Sequence, residues 1–468
     1  MELSSESTAL FAILREAATP SAVDAIEAEV QKAPDRDLCR INALTFANKH
    51  GLDEEDVIGA FLHASRQGIF ELSWNVLCPG CSGVLDTGAT LKVVDRSEYS
   101  CALCAAGFEP TLDETVEVTF TVSPRVRRIA AHDPHLLPTK EYFRQVFWSS
   151  GIDLPADDAL DRLFDNIVLE NLELPPGEKA IVSLNLPEAF IIVFDPVVHG
   201  AHFLDVKGEP TRERQSLPFV LSKEHTPTGT FEMRPGPARI LIENHAGVRT
   251  LPGIWVAGDD LHQLLSSRRP FLTAKRLLTN QTFRDIYRTD TLDIEQRLKI
   301  TSLTFLFTDL KGSTALYDRV GDLVAYDLVK AHFALLHQIV ASQAGAVVKT
   351  IGDAVMATFP TPDRAVAAAL HMRDAIVDLN EDLLLKIGIH EGPCIAVMLN
   401  DRQDYFGQTV NIASRVQALA KSRSIFATAP VVKHTNAAKL LHTSGIDPVA
   451  TEQMLRGIAD RMPVYEIP

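Results

Sequence analysis

Apolar residues recur at helical spacing near the start of the chain. Phe11, Ile13 and Leu14, then Val23, Ile26 and Val30, predict one face each of two short helices. Between Cys39 and Asn75, in CRINALTFANKHGLDEEDVIGAFLHASRQGIFELSWN, a third helix ends at Gly51. Asp53 caps a fourth, with Asp56 three positions on, and FELSWN reads as a strand. Residues 1–75 therefore predict a helical, winged-helix-like unit. The acidic first turn of DEEDVIGAFLHASRQG would face phosphates poorly, so intramolecular docking is favoured over DNA contact.

From Thr111 the period changes to that of strands. VEVTFTV, KAIVSLNL, AFIIVFD, PARILIEN and GVRTLPGIWV, separated by turns rich in Gly, Pro, Asp and His, predict a mainly-β domain over 111–258. The spacing suits antiparallel pairing in a sandwich or half-barrel, interrupted by helical pattern around Tyr142–Val146 and Asp158–Val168. This region reads as a regulatory module for a ligand or protein partner that the pattern does not specify. Residues 259–299 form a helical connector: Pro270 precedes Leu277, Phe283 and Ile286, which fit either a signalling helix or a linker packed on a sheet. From residue 300 to 468, short apolar strands alternate with helices around Tyr326–Ala341 and Pro362–Val377, the signature of an α/β domain.

The length of 468 residues suggests about three cores, and 46% apolar content is enough to fill them. A net charge of -16 disfavours non-specific binding to nucleic acid or an anionic membrane. No run of apolar residues approaches the roughly 18 of a membrane span. The opening MELSSESTALFAILREA is acidic and patterned, unlike a signal peptide. The expectation is a soluble, cytoplasmic protein.

Four of the six cysteines, Cys78, Cys81, Cys101 and Cys104, form two Cys-x2-Cys knuckles. Two knuckles presenting four thiolates suit the tetrahedral shell of a structural Zn2+, and predict a zinc ribbon over 76–110. Two disulfides are disfavoured in a cytoplasmic chain, and an iron–sulfur cluster remains open on ligand type alone. Cys39 and Cys394 stand alone and read as ordinary buried thiols.

Polar residues of the last third gather in three stretches. Asp309 closes the apolar run in FLFTDLKGST, Asp353 occupies the turn in KTIGDAVMATF, and DYFGQTVNIASR spans Asp404 to Arg415. Two carboxylates at adjacent strand ends can share two divalent cations, and hard Mg2+ favours such oxygens. Asn411 and Arg415, four apart, lie on one helix face. Over residues 301–468 the chain resembles the catalytic domain of the class III adenylate and guanylate cyclases.

The resemblance implies a ferredoxin-like α/β fold and a homodimer whose two active sites lie at the subunit interface. Asp309 and Asp353 would hold two Mg2+ or Mn2+ ions from one subunit, while Lys349, Asp404, Asn411 and Arg415 come from the other. Lys349 and Asp404 would read adenine, Asn411 would orient the ribose, and Arg415 would stabilise the phosphate transition state. Leu310, Gly312, Ser313 and Thr314 would offer donors to the outer phosphates. The activity implied is adenylate cyclase, converting ATP to 3',5'-cyclic AMP and pyrophosphate; the alternatives are a guanylate cyclase or a non-catalytic, nucleotide-sensing zinc protein. The chain departs from the family pattern twice. LRGIADRMPVYEI stands where a lysine-bearing segment often holds the outer phosphates, making Arg456 the nearest cation and Arg461 the next, and Ser313 stands where many members carry phenylalanine.

Overall fold

The computed structural model describes residues 3–223, 229–287, 292–293, 295–311, 318–379, 384–400, 402–421, 423–458 and 461–468. It divides the chain into two compact units: residues 1–89, 96–110 and 115–272, and residues 90–95, 111–114 and 273–468.

The first unit begins with α1 (Ser5–Ala17), α2 (Pro20–Lys32), α3 (Ala43–His50) and α4 (Glu54–Arg66). Local chemistry sets their ends. Asn42 accepts the Leu44 and Thr45 amides to start α3, Gly51 ends it at φ 63°, and Asp53 accepts the Glu55 and Asp56 amides to start α4. Phe11, Leu14, Val23, Ile26 and Val30 are buried as the periodicity predicts, whereas Ile13 is exposed, so the apolar stripe of α1 is narrower than expected. The strand predicted at FELSWN is β1 (Phe70–Leu77), which runs antiparallel between β2 (Val84–Gly88) and β5 (Val116–Val122). A short hairpin, β3 (Tyr99–Cys101) and β4 (Ala106–Phe108), carries the second cysteine knuckle.

Further along this unit, α5 (Thr139–Tyr142) continues into one π-helical turn, Phe143–Phe147, and α6 (Asp157–Ile167) follows. The strands are β6 (Val168–Asn171), β7 (Lys179–Leu186), β8 (Ala189–Asp195), β9 (Gly200–Val206), β10 (Gln215–Leu221), β11 (Thr230–Met233), β12 (Gly236–Asn244) and β13 (Gly253–Val256). They form two sheets, β11-β9-β8-β13-β6 and β10-β12-β7. Antiparallel pairing, expected throughout, fails at β10–β12 and β9–β11, which are parallel. From β9 to β12 the chain alternates between the sheets, so each return to the same sheet has the same direction. After β13, α7 (Asp259–Ser266) buries Leu261 and Leu264 against the aromatic cluster of Phe164 and Trp255.

The second unit takes the rest of the connector, α8 (Ala274–Leu278) and α9 (Gln281–Ile286), so residues 259–299 are shared between the units rather than forming one helical piece. Its sheet is built on β14 (Leu298–Lys311), with β15 (Ala346–Ile351), β16 (Ala354–Phe359), β17 (Leu384–Leu399), β18 (Arg402–Phe406), β19 (Ile425–Thr428), β20 (Val449–Gln453) and β21 (Met462–Ile467). The order is β15-β16-β14-β17-β19-β21-β20, and β18 pairs with the second half of β17. Helices α10 (Asp322–Ser342), α11 (Pro362–Leu379), α12 (Gln408–Leu419), α13 (Ala429–Val432) and α14 (Thr435–Thr443) complete it.

Alternation along the strands feeds two cores. Ile425 and Ala427 join Leu306, Leu336, Phe359 and Met372 on one face, while Phe426, between them, packs on the other with Ile412 and Val416 of α12. Gly388 lets α12 approach β17: a Cβ there would lie 2.1 Å from the Gln417 amide nitrogen. Among the described residues one helix, α10, is long and apolar enough to cross a membrane by length and composition, a test that the core helix of a water-soluble domain also passes. It carries Asp327, Lys330 and His332, and Leu336, Ile339 and Val340 are buried against the sheet.

Candidate functional site

Strand β14 buries Leu303, Phe305 and Phe307 and delivers Asp309 near its end. Asp353 sits in the β15–β16 turn, beside Gly352 at φ 62°, a conformation that favours glycine. Because β14 pairs with β16, with Thr308 opposite Val355, both carboxylates emerge at neighbouring strand ends. Burial raises the pKa of Asp309, the Asp353 charge raises it further, and Lys386 partly offsets both. Asp353 Oδ2 is buried without a hydrogen-bond partner among the described residues. Two crowded carboxylates, one with an orphaned oxygen, fit hard divalent cations such as Mg2+ or Mn2+.

Lys386 and His332 were not singled out from sequence. Lys386 lies opposite Asp309 in the β14–β17 ladder, a register invisible before the fold is known. His332 is fully buried in α10, both ring nitrogens lack partners among the described residues, and burial lowers its pKa to about 4.

Lys349 and Asp404 meet directly. Lys349 Nζ donates to Asp404 Oδ2 at 2.5 Å, and the Tyr405 amide donates to Asp404 Oδ1 at 2.9 Å. Asp404 is 5% exposed, so its charge relies on these donors, whereas the Lys349 side chain is 40% exposed and open to a ligand. The strand β15 reaches this point through a bulge. Val347 opposes Ala357 and Lys349 opposes Met356, leaving Val348 as the extra residue that re-aims the lysine.

On α12, Asn411 is exposed and Arg415 half-buried, and Arg415 has no ion-pair partner among the described residues. Its guanidinium packs over Gly457, where a Cβ would stand 3.4 Å from Nη2, which brings the 455–458 turn beside it. Arg456 in that turn and Arg461 beyond it are both exposed. Leu310 is buried within the β14–β17 ladder opposite Leu385; Gly312, Ser313 and Thr314 lie outside the described residues. Among the described residues no ion pair joins Asp309 or Asp353 to Lys349 or Arg415.

The first unit holds a second centre. The Sγ atoms of Cys78, Cys81, Cys101 and Cys104 lie within 4.8 Å of one another, with Cys78–Cys104 at 3.7 Å and Cys81–Cys101 at 3.6 Å. A tetrahedron with Zn–S bonds of about 2.3 Å has edges of about 3.8 Å, so this spacing fits one ion and is far too long for disulfides. Gly80 is needed in the first knuckle, since a Cβ there would sit 2.9 Å from Cys104 Sγ. Cys394 is buried and Cys39 half-buried, its thiol donating to the Gln145 carbonyl at 3.4 Å.

Comparison with known proteins agrees with this division of the chain. An uncharacterized protein of Mycobacterium tuberculosis is 34% identical over 123 residues, 26% of this chain and 32% of that protein. Adenylate cyclase 2 of Rhizobium meliloti is 32% identical over 136 residues, covering 25% of this chain and 37% of that one. The chain thus spans about a third of the length of the curated relatives it matches. Among solved structures, the adenylyl cyclase CyaB from P. aeruginosa is 20% identical, with 37% of this chain and 96% of that chain covered at a TM-score of 0.33. Residues 296–461 match the adenylate and guanylate cyclase catalytic domain, while residues 4–285, more than half of the chain, match a family of unknown function (DUF5939), and to that family the chain belongs.

Proposed function

We propose that the second unit is an adenylate cyclase that converts ATP to 3',5'-cyclic AMP and pyrophosphate at the interface of a homodimer, under the control of the N-terminal region. The observation that carries the choice of ATP is the Lys349–Asp404 pair. A lysine donor beside a carboxylate acceptor matches the ring nitrogen and exocyclic amine of adenine. Guanine presents a ring N–H and a carbonyl at those places and would leave unmatched groups in a dry pocket.

Asp309 and Asp353 would hold two divalent cations, which supply charge neutralisation of the triphosphate and a lower pKa for the 3'-hydroxyl. Asn411 orients the ribose so that the 3'-oxygen faces the α-phosphorus. That oxygen forms the new P–O bond as the bond to pyrophosphate breaks, and its proton passes to solvent or to a substrate phosphate. Arg415, which has no carboxylate partner among the described residues, donates its planar fork to the charge that develops on the α-phosphoryl oxygens. Leu310 to Thr314, with Arg456, would contact the outer phosphates.

The homodimer is supported by the exposed apolar side chains beside each half-site. Ile351, two residues from both Lys349 and Asp353, is 53% exposed, and Phe406, two from Asp404, is 50% exposed.

The test is a product assay on the purified full chain, offering ATP or GTP with Mg2+ or Mn2+ and resolving the cyclic nucleotide by chromatography. Cyclic AMP from ATP, with a shift toward GTP when Lys349→Glu and Asp404→Cys are combined, supports the reading. A wild-type preference for GTP would assign a guanylate cyclase instead, and nucleotide binding without pyrophosphate release would make the domain a sensor.

A further inference from the structure

Strand β15 is the edge of the catalytic sheet, and its bulge at Val348 leaves backbone groups that no neighbouring strand can satisfy. The segment α8–α9 meets them with side chains. Gln281 Oε1 accepts the Val347 amide at 2.8 Å, and Arg284 Nη2 donates to the Val348 carbonyl at 3.4 Å. The same Arg284 nitrogen donates to the Gln403 carbonyl at 2.9 Å. Val348 and Gln403 are the residues immediately before Lys349 and Asp404, on strands that do not pair with each other. One guanidinium therefore ties together the two backbone segments that present the Lys349–Asp404 pair.

Other contacts hold the tie in place. Tyr405, which follows Asp404, donates its hydroxyl to the Leu278 carbonyl of α8 at 3.3 Å and receives Gln403 Nε2 at 3.1 Å. On α9, Gln281 Nε2 donates to Asp285, fixing the amide so that its oxygen faces Val347. Phe283 is buried and Asn280 caps the helix by accepting the Phe283 amide, so α9 has little freedom to turn. Arg284 Nη1 is buried with no partner among the described residues, so no carboxylate there competes with the carbonyls for the guanidinium.

We propose that Arg284, supported by Gln281, is a positioning residue for nucleotide selection, setting the separation of Lys349 and Asp404 on which the ATP preference depends. This rests on the adenylate cyclase reading given above. A base is read through two hydrogen bonds at once, so a shift of a few tenths of an ångström between the donor and the acceptor weakens the matched base more than the mismatched one. The effect falls on binding and discrimination rather than on the phosphoryl chemistry, which Arg284 does not touch.

The experiment compares wild type, Arg284→Met, Arg284→Lys and Gln281→Leu as full chains, measuring kcat and KM for ATP and GTP. Thermal unfolding shows that each variant folds. Arg284→Met is expected to raise the KM for ATP about tenfold, leave kcat within about threefold, and lower the ATP-to-GTP ratio of kcat/KM by about tenfold. Arg284→Lys, which keeps one charged donor within reach, restores part of the ratio, and Gln281→Leu moves it in the same direction as methionine. A folded Arg284→Met with an unchanged ratio, or with kcat lowered equally for both nucleotides, overturns the proposal. If Arg284→Met does not fold, the lysine and Gln281 variants decide by the same ratio. A wild type that cyclises neither nucleotide refutes the cyclase reading instead, and affinities for fluorescent ATP and GTP analogues then judge Arg284 by the same loss of discrimination.

Discussion

Asp309 and Lys386 face each other across the β14–β17 ladder, with Lys386 Nζ 3.9 Å from Asp309 Oδ2. The lysine is the one cation paired with this carboxylate among the described residues, and it relieves part of the repulsion from Asp353. A divalent cation entering the site must share Asp309 with it. Lys386→Met should therefore tighten Mn2+ binding about fivefold in a calorimetric titration, a modest factor because both side chains are partly exposed. It should also lower the Tm of the metal-free protein. Weaker Mn2+ binding in the variant would show that Lys386 supports the site rather than competing with the ion.

The proposed sharing of active sites between two chains is testable by complementation. Asp309→Ala should remove the metal carboxylate and Arg415→Ala the transition-state donor, leaving each homodimer nearly inactive. In a heterodimer of the two, one site carries both lesions and the other neither. Equal mixing with full exchange yields about half heterodimers, each with one intact site of two, so activity should return to roughly a quarter of wild type. Subunit exchange is verified first by size exclusion with a labelled partner. Exchange without recovery would mean that the site does not draw on two chains.

The cysteine cluster calls for about one Zn2+ per chain by metal analysis. Cys101→Ser should lose the ion and destabilise the first unit, since binding energy at such a site is folding energy. Gly80→Ala is the finer probe. Its Cβ would press within 2.9 Å of Cys104 Sγ, so zinc should pass to a competing chelator on the order of tenfold more readily. Equal retention by Gly80→Ala and wild type would contradict the close sulfur packing.

Buried histidines predict that the second unit loses stability in acid. His390 is 6% exposed, shares a 2.7 Å hydrogen bond with Thr428, and burial lowers its pKa from 6.5 to about 4. A folded-state pKa below the unfolded one means that its contribution to stability is full above pH 6.5 and is lost as pH falls toward 4. The loss is on the order of 1–3 kcal/mol. His390→Gln, which retains a group able to bond Thr428, should flatten the fall in Tm of this unit between pH 6.5 and 4.5. An unchanged slope in the variant would place the acid sensitivity elsewhere.

Helix ends, strands and chemical groups were legible in the chain because their signals are local. Gly51 and Asp53 terminate and start helices through their own backbone and side-chain chemistry. The two cysteine knuckles state their ligand set by spacing, and Asp309, Lys349, Asp353 and Asp404 become candidates through the motifs that resemble a known family. Register and crossing are different, since they depend on which distant segment supplies the partner. Nothing near Lys386 says that it will stand opposite Asp309, and nothing in QTFRDI says that Arg284 will reach the carbonyls before both Lys349 and Asp404. The parallel pairs of the β-domain, the division of the connector between two units and the bulge at Val348 belong to the same class. Local sequence selected the elements and most of the reactive groups, whereas long-range pairing decided which groups meet, because backbone hydrogen bonds and core packing are completed only between segments far apart in the chain.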